Sequence, residues 1–156
     1  MNGEIKSSNY SRSNKAVKMV RGLLAIGAVL NLLLAAFHIT FPLLFNWETD
    51  LSSLSNTNRA IFITAHLWII MILVAVACVS IFAWRDLIST GLGRILLLFI
   101  GFLWAIRTFT EVAYFQFGVD GAGWRVALFG MMMIIYWMPM LNNWYNSSRL
   151  PLKVYS

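Results

Sequence analysis

The sequence predicts an all-α, integral membrane four-helix bundle with both termini in the cytoplasm. Three observations carry that expectation. Across 156 residues 60% are apolar and only 12% charged, far outside soluble composition. Four apolar stretches reach or approach the roughly 20 residues a helix needs to cross the hydrocarbon core. Nine of the twelve basic residues fall on one side of those stretches.

The first span is expected over 22–45, the second over 60–84, the third over 95–117 and the fourth over 124–141. Runs of this length read as helices, because barrel strands would show shorter alternating segments. Residues 1–19 are polar and rich in Ser and Asn, a mobile cytoplasmic start. The apolar run behind them is too long for a signal peptide's apolar region and no small-x-small cleavage site follows, so it reads as a retained first helix. Residues 20–145 then form a single transmembrane domain, and 146–156 a short cytoplasmic tail.

Lys6, Arg12, Lys15, Lys18 and Arg21 precede the first span, Arg85 and Arg94 separate the second from the third, and Arg149 and Lys153 follow the fourth. The other side holds Arg59 and Arg125 with Glu48, Asp50 and Asp120. By the positive-inside rule the basic side is cytoplasmic. Trp47, Phe117 and Trp124 mark the outer boundary, and Trp84, Trp144 and Tyr145 the inner one, as interfacial aromatics do. The pI near 9.9 is accounted for by these topogenic charges, and nucleic acid is not an expected partner. The expected partners are the lipid bilayer and a second copy or a larger membrane complex.

The longest connection, 46–59, holds Leu51 and Leu54, which can form a short turn, and then Ser55, Asn56 or Asn58 as candidate caps of the second helix. Pro42 and Pro139 lie near span ends, where a proline kinks a helix and frees a carbonyl. Cys78, the lone cysteine, reads as a small apolar residue. Met131, Met132 and Met133 point in three directions on a helix and read as adaptable packing.

Ionisable groups inside spans are expensive, and four stand out: His38, His66, Arg107 and Glu111. Counted from the expected span ends, His38, His66 and Glu111 each lie about 10 Å below the outer boundary at roughly 1.5 Å per residue. Arg107 lies one turn deeper and shares a face with Glu111, Trp104 and Tyr114, while Asn31 shares the face of His38. The matching layer of the fourth helix is expected at 130–132. For Arg107 with Glu111, a structural ion pair stands beside a binding or proton-handling pair. For the histidines, interhelical hydrogen bonds stand beside a two-His, one-carboxylate metal site of His38, His66 and Glu111, or a haem held between the two imidazoles.

No phosphate-binding glycine loop, nucleophile elbow or HExxH motif is present, and the two halves show no internal repeat. Three functions stay open: a nonenzymatic accessory or small-ligand-binding subunit, a membrane redox or metal protein, and an oligomeric proton-coupled transporter or channel.

The segments Phe37-His38, Leu44-Phe45-Asn46-Trp47, Asn58-Arg59-Ala60-Ile61, His66-Leu67, Leu92-Gly93-Arg94 and Trp104 through Arg107 to Glu111 resemble a group of small, uncharacterised four-helix bacterial membrane proteins and, more distantly, the DoxX-like proteins. The similarity covers roughly the first three helices. It implies a bacterial inner-membrane setting and no catalytic assignment.

Overall fold

The computed structural model describes residues 2–114 and 123–147, with side chains described for 15–114 and 123–141. Phe117, Asp120, Arg149 and Lys153, and the side chains of Trp144 and Tyr145, therefore lie outside what is described. Every regular element among the described residues is helical: α1 (Asn2–Ile39), α2 (Phe41–Leu44), α3 (Trp47–Asp50), a 3-10 turn (Leu51–Ser53), α4 (Asn56–Phe82), α5 (Trp84–Ser89), α6 (Gly91–Tyr114) and α7 (Gly123–Ser147).

Four helices contain stretches long and apolar enough to cross a membrane: Lys15–Ile39, Asn56–Phe82, Gly91–Tyr114 and Gly123–Leu141. Large apolar side chains stay exposed along all of them, Leu33, Trp68, Phe102 and Ile134 among them. In α4 only 11% of the most apolar window is buried. In water such a surface would drive aggregation, whereas in hydrocarbon it matches its solvent.

The polar start is drawn into α1 from Asn2. The first span stops at Ile39, short of the expected 45, and its last apolar residues form α2 with Pro42 in its first turn. A proline there cannot donate to the preceding turn, and its ring crowds the carbonyl four residues back, in the last turn of α1. The second helix runs Asn56–Phe82 rather than 60–84. At Ala83 the backbone leaves helical geometry with φ −108° and ψ 19°, and α5 follows. In α7 the buried Pro139 is carried inside the helix.

Contacts group the chain into two compact units, one of residues 25–82 and the other of residues 1–24 with 83–156. In the first, Ala28, Ala35, Leu73 and Ala77 are buried on the long helices. Ser55 caps α4, its hydroxyl accepting from the Asn58 N–H at 3.3 Å. The 3-10 turn seats Leu51, whose carbonyl accepts from Arg59 Nε at 3.1 Å, so the 46–59 connection is tied to the first turn of α4.

In the second unit α6 and α7 pack along much of their length, burying Leu97, Ile100, Trp104, Phe129, Met132, Ile135 and Tyr136. Two glycines permit the close approaches. A Cβ on Gly101 would fall 2.1 Å from the Trp137 ring, and one on Gly93 would fall 2.2 Å from the Asp86 carbonyl oxygen. Trp137 Nε1 donates to the Leu98 carbonyl at 3.2 Å, fixing the indole across the glycine.

Candidate functional site

Within residues 25–82 the two histidines come together at the end of α1. The carbonyl of His38 stands four residues before Pro42, which has no N–H to complete the usual i+4 helical bond. His66, on α4, donates to that carbonyl, its Nε2 lying 2.9 Å from the oxygen. His38 Nδ1 in turn lies 2.8 Å from the Leu34 carbonyl. A carbonyl oxygen only accepts, so Nε2 of His66 and Nδ1 of His38 carry the protons.

An aromatic nest holds both rings. Phe41 stacks on His38 at 4.4 Å between centroids, and the imidazoles stack on each other at 5.6 Å with 26° between their planes. Trp47 meets His66 edge to face at 4.6 Å and Phe62 at 4.9 Å. The chain brings Trp47 into this position through Asn46, whose backbone is left-handed at φ 44°, ψ 48°. Asn is the non-glycine residue that tolerates that region best. Asn31 is fully buried further back on α1, its amide donating to the Gly27 carbonyl at 2.7 Å.

The carboxylate and the guanidinium groups belong to the other unit. Glu111, 1% exposed, sits between two arginines. Arg125 Nε donates to its Oε1, and Arg107 Nη1 lies 2.7 Å from Oε2 as an ion pair outside hydrogen-bond geometry. Arg107 also donates to the Thr110 hydroxyl at 3.4 Å, and its Cζ lies 4.5 Å from the centre of the Phe129 ring. Trp104 stacks on the same ring at 5.7 Å. Tyr114, expected on this face, ends α6 with 77% of its surface exposed.

Stepping four residues back from Glu111 to Arg107 moves four residues on from Arg125 to Phe129, as an antiparallel pair requires. This corrects the expected layer on the fourth helix. Glu111 faces Arg125 rather than residues 130–132, because α6 and α7 pair more than a turn away from the register that the expected span ends imply. The sequence alone places Arg125 among the charges at the outer boundary. Its signal was its place two residues into α7, opposite the end of α6 that carries Glu111.

The proposed metal-ligand set draws His38 and His66 from one unit and Glu111 from the other. Among the described residues no group of three or more His, Cys, Asp or Glu side chains is placed to hold a metal ion. A haem between the histidines would need a nitrogen of each ring to point at iron. Here the rings stack on each other, and Nε2 of His66 is spent on a carbonyl.

No known family, characterised protein or solved structure matches the chain. What it does is argued from these side chains.

Proposed function

We propose that the chain is a nonenzymatic multi-pass protein of a bacterial inner membrane, its four spans bundled and both termini cytoplasmic. It serves as an accessory or small-ligand-binding subunit. The observation that carries this reading is the setting of Glu111, a buried carboxylate whose two oxygens both face guanidinium groups. Each oxygen is already matched to a guanidinium on α6 or α7, an arrangement that suits a fixed charge set holding the two helices in register. The histidines support the same reading, since both make bonds to backbone carbonyls. A ligand would reach the charge set along the edges of Arg107 and Arg125, whose side chains are 39% and 28% exposed.

The test is Glu111→Gln, which keeps the shape and removes the anion between two cations. Breaking a buried ion pair from one side costs about 3–5 kcal/mol. The expected outcome is a clear fall in thermal stability of the detergent-purified protein, with loss of any copurifying ligand or partner. Proton-coupled flux in reconstituted vesicles that vanishes in Glu111→Gln while stability holds would replace this reading with the transporter.

A further inference from the structure

We propose that Arg21 and Arg85, both held on the indole of Trp84, clamp the phosphate of an anionic phospholipid at the basic end of the spans. Arg21 Cζ lies 5.5 Å and Arg85 Cζ 5.4 Å from the centre of the Trp84 ring. The two guanidinium groups therefore stand within about 11 Å of each other, a span on the order of the Debye length at physiological salt, and two like charges share one indole. Neither forms an ion pair among the described residues, where the only salt bridges are the two made by Glu111. Asp86, beside Arg85 in sequence, makes a salt bridge with neither of them. An anion spanning the two cations would be attracted by both.

The surroundings identify the anion. The helix break at Ala83 places Trp84 at the end of one apolar span, shortly before the next begins at Gly91. Tryptophan favours the headgroup depth of a membrane. Both arginines are exposed and the indole is half-buried, so the clamp is open to a headgroup. Stacking on an indole pre-orients a guanidinium, whose planar fork matches phosphate oxygens. Lys15 and Lys18 precede Arg21 on the same helix and add to the attraction for an anionic leaflet. Exposed Leu92 and Ile95 offer acyl chains an apolar surface at this end of α6.

This goes beyond the proposed function and rests only on membrane insertion, so it survives a failure of the Glu111 reading. The experiment is native mass spectrometry of the full-length protein in detergent, titrated with phosphatidylglycerol, phosphatidylcholine or inorganic phosphate. We expect one phosphatidylglycerol to bind in preference to phosphatidylcholine and to resist displacement by phosphate. At about 1 kcal/mol per basic residue near a membrane surface, Arg21→Gln with Arg85→Gln should weaken it about thirtyfold. Arg94→Gln, at the start of α6, whose guanidinium is not among those seated on the Trp84 ring, should leave it within about twofold. Equal weakening by Arg94→Gln would show a diffuse basic surface and overturn the clamp. Displacement by phosphate would overturn the lipid as the anion. Absence of any anionic preference in the wild type would overturn the proposal even if the double variant fails to fold.

Discussion

Replacing His66 by Phe keeps a ring in the aromatic nest and removes an N–H that bonds the His38 carbonyl. A hydrogen bond contributes about 0.5–1.5 kcal/mol, so His66→Phe should lower stability in a detergent unfolding assay by that amount. Pro42→Ala restores a backbone N–H four residues beyond His38 and should recover most of the loss in the double variant. If Pro42→Ala gives no recovery, the carbonyl is not what His66 serves. This contact was half legible in the sequence. Pro42 announces a missing i+4 bond at His38 by simple counting, but the side chain that donates there depends on how α4 lies along α1. The pairing of Glu111 with Arg107 was legible because both ride one helix four residues apart. The contribution of Arg125 was not, since it depends on the register of two helices across residues 115–122.

The helices themselves follow from hydrocarbon thickness, which is why four spans could be read directly, while their ends shifted by several residues. Pro42 explains the early stop of α1, but nothing local marks Ala83, which has neither proline nor glycine beside it. The close packing of α6 leads to a graded prediction. Gly101→Ala drives a methyl into the Trp137 indole, a side chain that can turn aside, at about 1–3 kcal/mol. Gly93→Ala meets the backbone of α5, which cannot turn, and should cost more. Gly130→Ala, with nothing within 4 Å of its Cβ, should be neutral or stabilising by about 0.5–1 kcal/mol through helix propensity alone. Thermal melts of the three variants in one detergent give the order, and a Gly130→Ala loss as large as that of Gly101→Ala would refute it.

For the molecule as a whole, crossing by all four apolar helices would put nine of the twelve basic residues on one side. Reporter fusions at the two termini should both be active in the cytoplasm, and a fusion in the 46–59 connection should report the opposite face. A split result for the termini would mean that one of the four apolar helices does not cross. Composition was enough to reveal the class of protein, because a chain with this much apolar surface has few environments open to it. Function was less legible, because the charged side chains acquire meaning only through their neighbours: Glu111 through Arg125, His66 through Pro42, Arg21 through Trp84.

The bond from His66 to the His38 carbonyl also imposes an order on synthesis. The acceptor leaves the ribosome 28 residues ahead of its donor, with Pro42 already in place behind it. Until His66 emerges, the end of α1 lacks this bond, and α4 then makes good part of what Pro42 interrupts.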